Sequence, residues 1–514
     1  MLKERITIIL FFILVVFICD FQFVQSATYE NISLIEKINN KNTFIVDTEG
    51  DGDFVSIQDA INQSNDGCII EVYSGRYNEN VRINKQILLI GIPHELGEGN
   101  DTGKPIISGF GEIYSPHVVE IFADNCIIKG FLIENGGTAV SINGENTIFS
   151  YNSIFNSIRG VSISNEGNGS VIHNNTFFNN SDIAIFVQFS CNLGILNNSI
   201  FEGKCGIKID FSFVVFDHPT GIILRDNSLI NCGLCIKGRS MQNYYIDVDT
   251  SNTINGRPIY YLLNETEMNI SVDAGQIFLI NCSSCNISNC FIESGYNGIL
   301  LAFSHHNIIK ENVISNQSLN GIYLEWSSNN IIENNIIYRN GRNGICLQNS
   351  DGNIIRFNHV SLNMHDGIYI GWNSNNTNVS RNTVTKNYGF GISLAYCFSN
   401  LIAKNLIKNN GEGVGIYCSA QNEVMQNNIH KNEGWCIQME DCIYNKIHHN
   451  NLIKFGYHAM LINSFFNLWY RNYWSNWYLP LPKPIIGITV LYPGAKPLPW
   501  INFDLFPRIF PYGW

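Results

Sequence analysis

The sequence predicts an all-β solenoid, a parallel β-helix, and three observations predict it. The first is a repeat: Asn307-Ile-Ile-Lys-Glu-Asn312 recurs as Asn330-Ile-Ile-Glu-Asn-Asn335 and Asn353-Ile-Ile-Arg-Phe-Asn358. It continues more loosely from Thr377, Asn400, Asn422, Asn445 and Asn467, in steps of 22 to 24 residues. Self-similarity at such a period overrides an element-by-element reading. The second is that the repeat has columns. Ile287, Ile309, Ile332, Ile355, Val379, Ile402, Val424 and Ile447 take the second place of each unit. Ile292, Ile314, Ile337, Val360, Val384, Ile407, Ile429 and Leu452 take the seventh. Between them, in the fifth place, stand Asn312, Asn335, Asn358, Asn382, Asn405, Asn427, Asn450 and Asn472. The third is a half-unit, Gly-Ile-x-Leu/Ile, at Gly298, Gly321, Gly344, Gly367, Gly391 and Gly415.

Short β-branched runs broken by Asn and Gly read as strands and turns. A coil of about 23 residues stacks like on like, so each inward Ile meets the next and each inward Asn amide bonds its neighbour, as in cross-β packing. Helical repeats of similar length would show a 3.6-residue period, which these units lack.

Along the chain, Lys3 and Arg5 precede the apolar run Ile6 to Cys19, and small residues near Ser26 suit cleavage. Residues 1–26 therefore read as a secretory signal, with an uncleaved anchor as the alternative. No later stretch reads as a transmembrane segment, and the expected location is extracellular or on the cell surface. Residues 27–42 read as a polar leader. Residues 43–125 read as an N-terminal cap and first coils, with a short helix near Ser56 to Gln63 and Ser56 as its N-cap. The cap covers the open end of a repeat array, as terminal repeats must. Residues 126–477 read as the β-helix, with a β module expected as an insertion at 239–280, where Asn255-Gly256 is a hairpin signal. Residues 478–514, rich in Pro and aromatics, read as a C-terminal cap. There Trp469 and Trp474 replace the Ile columns and cover the last rung, while proline blunts the free edge.

A net charge of −12 without a basic cluster excludes nucleic acid and anionic membrane as expected partners. Sequons at Asn31, Asn62, Asn100, Asn264 and Asn316 are what an Asn-rich chain produces by chance. The oligomeric state is not legible.

The opening, Phe44 to Ile61 with Cys68 to Val81, resembles the first segment of pectin-methylesterase-like β-helix proteins, without their catalytic Gln-Asp stretches. A more specific likeness follows. Asp249-Thr-Ser-Asn-Thr-Ile-Asn-Gly-Arg-Pro-Ile-Tyr-Tyr and Asp273-Ala-Gly-Gln-Ile-Phe-Leu-Ile-Asn-Cys282 resemble segments of archaeal proteins of the NosD type, a family labelled periplasmic copper-binding. It belongs to the carbohydrate-binding and sugar-hydrolase, pectin-lyase-like group of β-helices. The resemblance covers most of residues 44–477 and implies a right-handed coil and an exported protein. For a subset of members it implies a part in copper-centre maturation.

Columns also test for chemistry, because outward side chains of successive rungs stand about 4.8 Å apart. One outward column reads Tyr323, Cys346, Tyr369, Ser393, Tyr417; three residues further on stand Trp326, Asn349, Trp372 and Tyr396. Arg342 and Asn343, then His365 and Asp366, precede the strands, and Glu325 lies beside Gln348. Rings flanked by polar groups on a flat sheet suit sugars, although outward aromatics also simply favour strands. Catalysis by paired carboxylates needs them about 5–10 Å apart, and Glu325 and Asp366 are too far offset. His365 beside Asp366 offers a proton-transfer pair only if these neighbours converge. Lys310, Glu333 and Arg356 read as a charge ladder. Cys232-x-x-Cys235 and Cys282-x-x-Cys285 leave disulfide, metal ligation and unpaired packing open. The expected function is an exported surface protein that binds a polysaccharide or other glycan without a cofactor. The alternatives are a polysaccharide lyase, hydrolase or epimerase of this fold, and a NosD-like accessory of copper-centre maturation.

Overall fold

The structure is a computed structural model that describes residues 42–513, apart from 98, 100, 110–116, 165, 213–219, 455 and 491–495. The expected signal and all but the last residue of the leader lie outside the described residues. The described residues form a right-handed β-solenoid of about 19 turns with rungs about 23 residues apart and almost no helix. It divides into two units, residues 1–253 and 254–514.

In the first unit, strands stack in parallel in separate files. One nine-stranded file runs from Thr43–Val46 to Asp247–Val248, and a seven-stranded one from Val81–Ile83 to Leu234–Lys237. The helix Ile57–Gln63 forms where expected. The hydroxyl of Ser56 accepts the Asp59 N–H at 3.2 Å, and the Glu79 carboxylate accepts the N–H groups of Ile57 and Gln58 at 2.8 and 3.0 Å. These bonds fill the donors a helix start leaves orphaned. Ile57, Ala60 and Ile61 are its buried face.

In the segment expected as an inserted module, 239–280, strands continue the coils. Asp247–Val248 pairs in parallel with Ile223–Arg225, and Arg257–Leu263 pairs in parallel with Gln276–Ile280. Asn255 and Gly256 both have positive φ, 49° and 77°, as a two-residue type I′ turn requires.

The second unit carries the regular repeat. Ile309, Ile332, Ile355, Val379, Ile402, Val424 and Ile447 are all fully buried in one file. The fifth-place asparagines stand where the columns predict. Each Nδ2 from Asn312 to Asn450 donates to the Oδ1 of the next asparagine at 2.9–3.0 Å. The same Oδ1 atoms also accept the backbone N–H of the preceding rung's asparagine at 2.9–3.0 Å. A second ladder links Asn307, Asn330 and Asn353 through their amides, resuming after Thr377 at Asn400. A third runs from Asn340 through Asn363, Asn387 and Asn410 to Asn432. At tight corners an inward carboxamide satisfies backbone groups that no strand partner reaches, so burial costs nothing in unmade hydrogen bonds.

Two features correct the columns. The glycine file runs Gly298, Gly321, Gly344, Gly367, Gly391 and then Gly413, not Gly415, because Ile392 pairs with Val414. Consequently Gly415 follows Ser393 in the outward column, and Tyr417 pairs with Ala395 instead. Gly413-Val-Gly-Ile offers two frames two residues apart, and a slip of two keeps the same residues inward. Hydrophobic pattern alone therefore does not choose between them.

At the end of this unit Lys483–Thr489 and Leu498–Leu505 form an antiparallel pair, and both also lie parallel on the last coil. Trp469 and Trp474 are buried beneath it, ring centroids 5.8 Å apart. Asp504 takes the next place in the asparagine ladder: its Oδ2 accepts the Asn472 amide at 2.9 Å and the Trp474 indole N–H at 2.7 Å.

Candidate functional site

The strands Ile322–Glu325, Ile345–Gln348, Ile368–Gly371 and Phe390–Ala395 lie side by side in parallel. Alternation turns Ile322 and Leu324 inward and Tyr323 and Glu325 outward. Register then stacks Leu300, Tyr323, Cys346, Tyr369 and Ser393 in one outward column, and Glu325 beside Gln348 in the other.

The first column is partly closed to water. The Tyr323 hydroxyl donates to Gln348 Oε1 at 2.9 Å, and burial, then the Glu325 charge, push its phenol well up. Burial likewise raises Tyr369 to about 12 and the Cys346 thiol, 3% exposed between the two tyrosines, to about 12. Arg342 is exposed ahead of the strand, and its positive charge opposes all three shifts.

His365 and Asp366 do converge. Nδ1 of His365 lies 3.3 Å from Asp366 Oδ1 and 3.2 Å from Asn343 Oδ1, and the aspartate raises the imidazole's pKa. Asp366 itself is 2% exposed. Its Oδ1 accepts the Phe390 N–H at 2.8 Å and its Oδ2 the Ser393 hydroxyl at 2.6 Å. With both oxygens engaged, Asp366 orients His365 and the following strand; the exposed imidazole and Arg342 are the groups that can meet a ligand.

Past the strand ends lies the aromatic column. Phe303 stacks on Trp326, centroids 6.4 Å apart and planes 5° off parallel; Trp372 stacks on Tyr396 at 5.1 Å and 20°. Trp326, Trp372 and Tyr396 stay 44%, 52% and 49% exposed. All three have left-handed backbone, φ 51°, 50° and 56°, because each occupies the corner where the chain leaves the sheet. Asn349 occupies the same corner on the intervening rung, φ 49°. It interrupts the rings, so Trp326 and Trp372 stand two rungs, about 9.6 Å, apart. From Asp366 to Trp372 the face spans about 20 Å.

The columns did not reveal Glu412. It opens the strand Glu412–Tyr417 opposite Phe390, and its Oε2 is buried without a hydrogen bond. Burial raises its carboxyl, Lys454 opposes this, and Asp366 adds to it. Its rung is one in which the repeat frame is ambiguous, so no column marked it.

Cys232, Cys235, Cys282 and Cys285 are all buried. The second pair has a structural origin. The N–H groups of Cys282, Cys285 and Cys290 donate to Ser304 Oγ, Asn307 Oδ1 and Asn312 Oδ1 at 3.0, 2.9 and 3.0 Å. The spacing is thus that of the polar ladders, with cysteine standing where each ladder begins. In the first unit the thiol of Cys235 lies beside that of Cys205, whose pKa burial drives far up. Among the described residues no group of three or more His, Cys, Asp or Glu is placed to hold a metal ion. Arg356 Nε meets Glu333 Oε2 at 2.7 Å, in register with Lys310, as the charge ladder predicts.

Among known proteins, three solved structures illustrate the likeness. The A-module of mannuronan C-5 epimerase AlgE6 of Azotobacter vinelandii is 12% identical, over 81% of this chain and 87% of that one, TM-score 0.33. The periplasmic alginate epimerase AlgG is 15% identical, over 62% and 78%, TM-score 0.33. The DFA-IIIase of Arthrobacter chlorophenolicus A6, in complex with GF2, is 10% identical, over 80% and 92%, TM-score 0.32. No curated protein matches. Among the described residues no helix is long and apolar enough to cross a membrane. The family described as "right handed beta helix region" matches residues 112–254 and 275–429, more than half of the sequence. With its stacked Ile and Asn files and parallel rungs, the chain belongs to the right-handed β-helix family.

Proposed function

We propose that this protein binds a carbohydrate chain, a cell-envelope or environmental polysaccharide, on the face between Arg342 and Trp372. One observation carries the reading: a column of exposed, mutually stacked rings interrupted at Asn349, with hydrogen-bonding groups across the same strands. Stacked rings at a corner cost the left-handed backbone that β-branched and bulky residues ordinarily avoid, and they leave indole faces in water. The gap at Asn349 admits a sugar ring between the faces of Trp326 and Trp372. Glu325, Gln348, Arg342 and His365 then supply donors and acceptors for its hydroxyls. Export belongs to the same proposal and rests on Lys3, Arg5 and the apolar run that follows them. So does kinship with the NosD type, which rests on the segments 249–261 and 273–282. The test is a glycan array probed with the mature chain, followed by the Trp326→Ala, Trp372→Ala and Tyr396→Ala variants. Retention that survives all three removes this face as the site.

A further inference from the structure

A second concavity lies further along the same unit, against the C-terminal strand pair. It is a cavity of about 380 Å³ lined by Trp435, Tyr457, His458, Trp474, Asn476 and Lys483, with aliphatic side chains completing it. That volume is within the usual range of small-ligand pockets, about 300–1,000 Å³. Its floor is buried, His458 at 3% and Trp474 at 2% exposure, while Tyr457 at its mouth is exposed. Trp435 and Tyr457 face each other at 5.7 Å and 45°, an apolar wall open on one side.

The polar chemistry of the floor follows from the hydrogen bonds of Ser475. Its hydroxyl donates to the Lys454 carbonyl at 2.9 Å and accepts the Lys454 N–H at 3.0 Å. The one hydroxyl proton being used, Ser475 Oγ must accept at its 2.8 Å contact with His458, so Nε2 carries the ring proton. Burial keeps the imidazole neutral, lowering its pKa to about 4; the nearby Gly456 carbonyl opposes this, and the Lys483 and Lys454 charges add to it. Nδ1 is then a bare acceptor, buried and without a hydrogen bond. An unfilled buried acceptor of this kind is destabilising, and a donating ligand relieves it. Lys483 donates to the Pro484 carbonyl at 3.2 Å and rests over the Trp477 ring at 4.9 Å, leaving N–H groups for a ligand oxygen.

The requirements are therefore an O–H donor for Nδ1, an oxygen acceptor for Lys483, and a flat apolar face for Trp435. An ionised carboxylate alone fails the first, since its oxygens bring lone pairs against a lone pair. We propose that this cavity binds one neutral sugar ring through a hydroxyl donated to His458 Nδ1, seating the end of a glycan. The site shares no residue with the indole column, so it stands whether or not that face binds.

The test uses the full mature chain, saturation-transfer NMR and ¹⁵N observation of the histidine rings. The probes are methyl glucoside, methyl mannoside, methyl galactoside and N-acetylglucosamine, with acetate, which carries no hydroxyl, as the anionic control. At least one neutral sugar is expected to receive saturation and move the His458 Nδ1 resonance in the direction of an accepted hydrogen bond. Both signals should vanish in Trp435→Ala, at the rim, and in His458→Phe. They should persist in Trp372→Ala. No response to any neutral sugar, an unmoved Nδ1, transfer surviving Trp435→Ala, or acetate binding equally well would each overturn the proposal. Loss in Trp372→Ala alone would move the signal to the indole column and also overturn it.

Discussion

Replacing Asp504 by Asn converts the last step of the asparagine ladder into one more carboxamide. Asp504 is fully buried, and three donors meet its Oδ2: the Asn472 N–H at 3.2 Å, the Asn472 amide at 2.9 Å and the Trp474 indole at 2.7 Å. Its Oδ1 is buried with no partner. Burial outweighs these bonds and raises the carboxyl to about 6, against about 3.9 for an unfolded aspartate. A carboxyl raised on folding favours the protonated folded state. Its contribution is therefore greatest below about pH 4 and is lost as pH rises through about 6. A shift of about two units corresponds to about 3 kcal/mol. Asn cannot ionise, but its Nδ2 takes the place of the unpartnered Oδ1 and offsets about 1–2 kcal/mol of that. Asp504→Asn is thus expected to be more stable by about 1–2 kcal/mol at pH 7.5 and no more stable than the parent at pH 4. Urea unfolding followed by tryptophan emission at pH 4, 6 and 7.5 measures the difference. A difference that does not change with pH would refute the reasoning, because Asp504 would then titrate alike in the folded and unfolded chains.

Other outcomes follow from the same structure. Asn358→Ala strips the Asn335 amide and N–H of their acceptor and the Ile332 carbonyl of its donor, and should cost about 3 kcal/mol or more in urea unfolding. Gly344→Ala puts a Cβ 2.7 Å from the Gly367 carbonyl oxygen, where adjacent coils approach closely, and should cost about 1–3 kcal/mol by the same assay. Without reductant, Cys232, Cys282 and Cys285 of the unfolded chain should react with a thiol reagent and stay protected by burial in the folded one. Fewer thiols after unfolding would mean that a disulfide forms.

Periodic positions were legible in the sequence because identical contacts repeat. Asn335 and Asn358 are read from the column, since each needs the same amide above and below. Where the repeat falters, other rules take over. Gly413 and Gly415 compete for one file, and both frames bury the same face, so the sequence puts Tyr417 beside Ser393 instead of Ala395 and leaves Glu412 unplaced. Cys282 and Cys285 imitate a metal or disulfide motif because ladder starts carry the ladder's spacing. Asp504 lies outside the repeat, and only its bonds to Asn472 and Trp474 identify it as the ladder's end. For the site, Trp326, Trp372 and Tyr396 were legible as an outward column, and the structure adds their stacking and the gap at Asn349. The burial of Asp366 was not legible, because it depends on Ser393 and Phe390 one rung away.

Filling that gap is the most direct measurement of the central claim. Asn349 has the same left-handed corner conformation as Trp326 and Trp372, so Asn349→Trp is expected to fold and to run the rings together. Binding of the best array glycan to this variant, measured by calorimetry beside the parent chain, should fall at least tenfold, about 1.4 kcal/mol. Undiminished affinity in a folded Asn349→Trp chain would contradict the account.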